Sequence, residues 1–388
     1  MKIGIDISRT VEESTGVGYY AKNLVHALAA IDPGDEYLLY GIFCDCYPKN
    51  WKKADVPKAR NFSLHQRWYP SRYVMRQWMN FAKKRNQLLG GVDVLHSTAF
   101  TMPLVSRVKV IVTIHDLSFF HYPQHHTDAN YRFVNRNVHL AARRADLIIA
   151  DSVSTKRDIQ RFLHVPDKKI EVVYLASGES FSARRSSEDI ERVKNKYKIR
   201  KPYFLAVGSI EPRKNLARAL VAFKALIEMG RVDYQCIIVG GQGWKNEAFY
   251  ALLRKLDIDE HLVFTGYVPE EDLPLLYQGA GVFLYPSVYE GFGLPVLEAM
   301  SSGVPVITSK TSSLPEVAGD AALLVNPLDI FELYEAMEAL ATKPQLRKEL
   351  ALKGLEQSKK FSWEKTAQKT LEIYKRVFDN GERSYNSG

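Results

Sequence analysis

The sequence predicts an α/β protein of two Rossmann-like, doubly wound domains facing a cleft. Three observations carry that prediction. Short apolar runs alternate with helical patterns along nearly the whole chain, the pattern of parallel sheets covered by helices. The alternation breaks in a polar segment at residues 176–201 and then restarts. The chain has 388 residues, enough for two domains at roughly 100–200 residues each.

In the first half, strands are expected at 2–7, 37–42, 92–96, 108–114, 147–150 and 170–174. Continuous runs such as Val110-Ile111-Val112 suit a strand buried on both faces. A helix at 19–31 follows the first strand, and another at 130–144 precedes the fifth. The break carries Ser177, Gly178, Ser182, Ser186 and Ser187 and ends at Pro202. The second half then offers strands at 203–207, 235–239, 262–265, 282–285 and 304–308. Helices are expected between them at 216–229, 247–255, 270–278 and 295–302, and more helix fills 330–378. The domain boundaries follow: 1–180, a linker at 181–201, 202–360, and a terminal helix at 361–388. In such sheets, ligands bind beyond the carboxyl ends of the strands.

Composition narrows the class. Hydrophobic residues make up 46% and charged residues 25%, a globular and soluble balance. The three cysteines, Cys44, Cys46 and Cys236, show no metal-ligand spacing and no disulfide framework. With no signal-peptide pattern at the start and no apolar run near 20 residues, a cytoplasmic location is expected. The net charge of +9 is concentrated. Residues 49–85 hold eleven basic side chains, Lys83, Lys84 and Arg85 among them, against the single acid Asp55. Such a patch favours an acidic partner.

The strongest motif runs from Tyr289 to Met300, after the strand at 282–285. Pro295 fits the first turn of a helix, where its missing N–H is no loss. Gly291 and Gly293 then lie in the loop feeding that helix, with Phe292 between them and Leu294 after. A helix start of this kind suits a phosphate. Glu290 and Glu298 are eight positions apart. A helical span of that length rises about 12 Å, whereas glycosidase carboxylates sit roughly 5–9.5 Å apart. The pair is better suited to holding two parts of one ligand.

The second motif is Gly208-Ser209-Ile210-Glu211-Pro212-Arg213-Lys214-Asn215, just after a strand. Adjacent Arg and Lys side chains there suit a diphosphate, whose charge grows as it departs. Three shorter signals follow. Gly16-Val17-Gly18 lies between the first strand and its helix, where paired glycines let backbone approach a phosphate. His115 and Asp116 end a strand. Tyr267 and Val268 follow Phe264-Thr265-Gly266 at another.

Together these residues resemble the retaining GT-B glycosyltransferases, specifically glycosyltransferase family 4. The resemblance rests on the E-x7-E pattern of Glu290 and Glu298, on Tyr285-Pro286-Ser287, and on residues 303–308 and 313–320. The Glu-Pro-Arg-Lys-Asn wording at 211–215 is most similar to the mannosyltransferase branch. The resemblance implies that Glu290 contacts the donor sugar and that Glu298 holds the nucleotide ribose. It places Arg213 and Lys214 on the diphosphate, with Ser209 beside them. It also puts backbone at Tyr267 and Val268 against the base, Gly16 and Gly18 over the donor, and His115 and Asp116 at the reaction centre. The family often has an arginine after the second glycine; here Tyr19 and Tyr20 follow.

The implied activity is transfer of a hexose, mannose from GDP-mannose, to a glycan or lipid-linked acceptor in cell-surface polysaccharide synthesis. No cofactor and no metal are expected; the nucleotide-sugar is a co-substrate. The first domain takes the acceptor side, the second the donor, and the last helix returns toward the first domain. Residues 49–85 also carry Trp51, Trp68, Tyr69, Tyr73, Trp78 and Phe81, so a peripheral contact with the inner face of an anionic membrane is an expectation for that stretch. Its alternative is an amphipathic helix packed on its own sheet. No nucleic-acid recognition motif is present. The readings kept beside the main one are a UDP-sugar transferase using glucose or N-acetylglucosamine, and a nucleic-acid or anionic-surface binding protein. Asp257-Ile258-Asp259, a D-x-D, and the group His121, His125 and His126 are not expected to bind metal.

Overall fold

Strand β1, Lys2–Asp6, buries Ile3, Gly4 and Ile5 in succession, as a central strand covered on both faces must. The computed structural model describes residues 1–11, 16–43, 55–68, 89–102, 105 and 108–385. The chain divides into two units, one of Met1–Leu117, Asp128–Leu175 and Ser362–Gly388, the other of Ser118–Thr127 and Ala176–Phe361.

The first unit's strands are β1, β2 (Glu36–Phe43), β3 (Phe62–Trp68), β4 (Val94–Ser97), β5 (Lys109–Ile114), β6 (Leu147–Ala150) and β7 (Ile170–Val172). Among the described residues they form one seven-stranded sheet in the order β3-β2-β1-β4-β5-β6-β7. Every pairing is parallel. Strand β3 was not expected from the sequence. It is an edge strand whose Ser63 and His65 face solvent while Phe62 and Leu64 are half-buried, so it shows no continuous apolar run. The terminal helix, Trp363–Tyr385, packs in this unit: Thr366 donates to the Tyr174 carbonyl at 2.7 Å, and the Tyr374 hydroxyl lies 2.6 Å from His96 Nδ1.

The second unit's strands are β8 (Tyr203–Val207), β9 (Gln235–Val239), β10 (Leu262–Gly266), β11 (Val282–Tyr285), β12 (Val306–Ser309) and β13 (Ala322–Val325). They form a parallel six-stranded sheet in the order β10-β9-β8-β11-β12-β13. Its core joins Phe204, Phe223, Ile238, Leu284, Ile307, Leu333 and Met337, from both the sheet and the helices over it. The order reverses between β8 and β11, so the loops leaving those strands flank the crevice where such sheets take ligands.

The linker segment and the start of the first helix also differ from expectation. The segment at 181–201, read as a linker, contains the helix Ser187–Lys196. Ser186 caps it by accepting from Asp189 N at 3.1 Å, so serines that look like linker composition include a helix start. The helix after β1 begins at Gly16 rather than at 19, which puts Gly16 and Gly18 in its first turn instead of in a preceding loop. A Cβ built on Gly16 would meet nothing within 4 Å among the described residues.

Candidate active site

The loop after β8 opens with Gly208 at φ 137°, a conformation that favours glycine. Space is tight there as well. A Cβ on the facing Gly240, itself at φ 140°, would sit 2.3 Å from the Gly208 carbonyl oxygen. The chain then makes a single 3-10 turn, Pro212–Lys214, before the helix Leu216–Glu228. Asn215, in the left-handed region at φ 57°, joins the two and donates its amide to the Pro286 carbonyl at 3.1 Å. That bond ties the β8 loop to the β11 loop.

The β11 loop is held from two sides. Val288 N donates to the Arg213 carbonyl at 2.9 Å, and Arg213 Nη1 donates to the Tyr289 carbonyl at 3.0 Å. From the opposite side, Ser313 Oγ donates to the carbonyls of Glu290 and Phe292 at 2.9 and 2.7 Å, and Glu290 N donates to Ser312 Oγ at 2.9 Å. Gly293, at φ 115°, then caps the helix Leu294–Ser301. Gly291 and Phe292 are buried and Leu294 is half-buried.

Between these loops lie four charges. Lys214 Nζ is 2.8 Å from Glu290 Oε1, and Arg213 Nη1 is 2.7 Å from Glu290 Oε2. Arg213 Nη2 also reaches the buried Glu211 at 2.6 Å, and Lys214 donates to the Tyr285 hydroxyl. Burial by itself would raise the Glu290 carboxyl; the two cations outweigh it and hold the group at about 2. Burial lowers the Lys214 ammonium despite the attraction of Glu290. The structure therefore brings Arg213, Lys214 and Glu290 into one cluster with no net charge once Glu211 is included. The sequence did not single out Glu211 or Tyr285, although both lie inside the quoted motifs.

Glu298 stands apart from that cluster in its chemistry. Its carboxylate is buried on the helix and accepts from the Tyr277 hydroxyl at 2.9 Å. Burial raises it to about 7, with the tyrosine bond opposing the rise. Beyond the end of β10, Tyr267 is 60% exposed and Val268 is buried. Ser209 is exposed.

The first unit places His115 and Asp116 directly after β5. His115 Nδ1 lies 2.6 Å from Asp151 Oδ2, and Nε2 lies 2.8 Å from the Thr98 carbonyl. Asp151, absent from the sequence reading, follows β6 and is buried.

The remaining candidates separate by place. Asp257 ends the helix Glu247–Leu256 at φ 51°, and Asp259 begins a separate 3-10 turn. The histidines of residues 118–127 each have local contacts within the second unit. The His121 ring lies 4.8 Å from that of Tyr289, the His125 carbonyl accepts from the Trp244 indole, and His126 Nε2 is 3.3 Å from Ser118 Oγ. Among the described residues, no group of three His, Cys, Asp or Glu side chains is arranged to hold a metal. No described helix is long and apolar enough to cross a membrane. The amphipathic helix considered for residues 49–85, and most of that basic stretch, lie outside the described residues.

Comparison with known proteins identifies the family and the fold. Residues 14–176 match the family described as Glycosyltransferase Family 4, and residues 187–357 match Glycosyl transferases group 1. The chain is 33% identical over 368 residues to the O-antigen chain mannosyltransferase B of Escherichia coli, covering 93% of this chain and 96% of that one. Among solved structures, a sucrose-phosphate synthase from Thermosynechococcus elongatus superposes with a TM-score of 0.76 at 19% identity, covering 98% of this chain and 100% of the other. Anabaena HepE in complex with UDP-glucose gives 0.75 at 16% identity, covering 97% and 100%. At those identities the structural likeness speaks for the fold.

Proposed function

The chain belongs to glycosyltransferase family 4, and on that premise we propose that it is a retaining, metal-independent mannosyltransferase. Its donor is GDP-mannose and its acceptor a glycan or lipid-linked oligosaccharide of a cell-surface polysaccharide. The observation that carries the reading is the pairing of Arg213 and Lys214 with Glu290 at the switch point of the second sheet. The O-antigen mannosyltransferase relative supports the sugar and the pathway class.

The chemistry follows from the charges. When a nucleoside diphosphate leaves, its developing negative charge is stabilised by cations already fixed in a buried site, which need little reorganisation. Arg213 and Lys214 are such cations. In the free protein they are balanced by Glu290, so an arriving diphosphate competes with that carboxylate. The start of the helix Leu294–Ser301 adds its positive end to the same site. Glu290, once released toward the sugar, accepts hydrogen bonds from its hydroxyls. Glu298 accepts from the ribose. The acceptor hydroxyl attacks from the face the diphosphate leaves, with a donor phosphate oxygen taking its proton. A peripheral contact of the basic stretch at 49–85 with an anionic membrane, on its cytoplasmic face, suits a lipid-linked acceptor; the charge of that stretch supports the contact.

The test is a transfer assay in excess EDTA with GDP-mannose, UDP-glucose and UDP-N-acetylglucosamine, followed by NMR of the anomeric proton in the product. An α-mannosyl product formed without metal supports the reading. Turnover of UDP-sugars alone moves the donor assignment, and a β-linked product from the α-linked donor removes retention.

A further inference from the structure

Three neighbouring strands of the first sheet end in three groups that touch. Thr98 follows β4, His115 follows β5 and Asp151 follows β6. The strands are in parallel register: Ile114 pairs with Ala150, so His115 and Asp151 come level, while Ser97 pairs with Val112, so Thr98 lies two residues before His115 along the strand direction. The Thr98 carbonyl can only accept, so His115 Nε2 carries a proton and donates it there at 2.8 Å. At the other nitrogen, a proton lies between Nδ1 and Asp151 Oδ2, 2.6 Å apart. Neither ring nitrogen keeps a lone pair for a substrate.

We propose that Asp151 is a positioning residue for sugar transfer: it holds the His115 ring through Nδ1 and keeps Nε2–H on the Thr98 carbonyl, so the ring acts in one fixed orientation and not as a proton acceptor. This rests on the transferase reading above.

Two further observations point the same way. Asp151 Oδ1 is buried and, among the described residues, has no hydrogen-bond partner. A buried carboxylate oxygen without a donor opposes folding, so packing alone does not account for an aspartate at this position. The ring is also clamped on its other side. Tyr20 lies edge-on to His115, centroids 5.0 Å apart. The Tyr20 hydroxyl is 3.1 Å from Thr113 Oγ1, which is 2.8 Å from His96 Nε2, and His96 Nδ1 is 2.6 Å from the Tyr374 hydroxyl. The terminal helix thereby fixes Tyr20, and Tyr20 fixes the ring.

The groups acting on His115 are few. Burial disfavours its charge, whereas Asp151, the Thr98 carbonyl and Asp116 favour it, and the balance raises its pKa above the usual histidine range. His96 is held down at about 3 by burial and by His115, so it stays neutral at working pH. Burial keeps the Tyr20 hydroxyl protonated.

The test uses full-length protein, Asp151→Ala and Asp151→Asn, each checked for folding by circular dichroism. The readouts are imidazole 15N NMR between pH 6 and 8.5 and steady-state kinetics with GDP-mannose. In the parent protein the Nε2 signal stays protonated across that range. In Asp151→Ala it titrates, and kcat falls by about 10- to 100-fold, the scale set by loss of orientation, while donor KM changes less than about threefold. Asp151→Asn, whose amide can donate to Nδ1 and leave Nε2–H in place, recovers at least about a third of kcat. An unchanged NMR titration or kcat in Asp151→Ala overturns the proposal. If the alanine variant does not fold, the asparagine variant decides: a folded Asp151→Asn with kcat more than about 100-fold down also overturns it, because proton transfer would then be the role. A parent protein that transfers no sugar, with the same protected imidazole signals, contradicts the transferase reading and leaves the His115–Asp151 pair as found.

Discussion

The Lys214 ammonium lies 2.8 Å from Glu290 Oε1, and the same carboxylate meets the Arg213 guanidinium 2.7 Å from its other oxygen. One anion thus occupies both cations assigned to the diphosphate. Removing its charge without changing its shape has opposite effects on binding and on transfer. Glu290→Gln frees Lys214 and leaves Arg213 paired with Glu211 alone, so GDP affinity rises by about tenfold, or about 1.4 kcal/mol. Transfer falls by about 100-fold or more, because the sugar loses its carboxylate. Calorimetry and single-turnover kinetics check both halves. Weaker GDP binding in this variant counts against the competition.

Glu298 gives nucleotide binding a pH dependence. Its folded pKa is about 7, above the ordinary glutamate value, because the group is buried. Ribose binding needs the carboxylate, which is about a tenth populated one unit below that pKa and about nine-tenths one unit above. GDP affinity therefore rises by roughly tenfold from pH 6 to pH 8. Glu298→Gln flattens that rise and weakens binding at pH 8.

The same group affects stability with a definite sign. The raised pKa means that the folded state binds more protons than the unfolded state between the ordinary glutamate value and about 7. Stability contributed by this site is therefore present at acid pH and lost as pH rises through about 7. Glu298→Gln, which cannot ionise, melts several degrees higher than the parent at pH 8 and shows little difference at pH 5. Scanning calorimetry at the two values measures it.

Gly240 tests the packing that shapes the phosphate loop. An alanine there places a Cβ 2.3 Å from the Gly208 carbonyl oxygen, on a backbone at φ 140°. The loop after β8 must shift. Gly240→Ala lowers stability by about 2–3 kcal/mol and weakens GDP binding together with it. A variant with parent melting temperature and affinity contradicts the tight contact.

What the sequence made legible and what it hid have separate physical causes. The buried central strands were visible because each is a run of apolar residues covered on both faces, as in Val110-Ile111-Val112. Edge strand β3 was not, since its Ser63 and His65 face solvent and interrupt any such run; β13 was missed although Ala322-Leu323-Leu324-Val325 is apolar throughout. At the site, Arg213, Lys214 and Glu290 were readable because the loops that carry them have motifs. Their mutual pairing was not, because Lys214 and Glu290 are 76 positions apart in the chain. Asp151 was missed for a related reason. It is marked by no pattern along the chain, and its role appears only when β5 and β6 lie side by side. Tyr277 met the same fate, 21 positions from the Glu298 it bonds.

The most direct test of the central claim is calorimetric binding of GDP, UDP and ADP, with EDTA present, to the parent protein and to Lys214→Ala. Metal-free GDP binding that is tighter than UDP or ADP binding, and lost by at least about tenfold in Lys214→Ala, is the predicted result. Binding of none of the three, or GDP binding that the variant keeps in full, contradicts a diphosphate site built on Arg213 and Lys214.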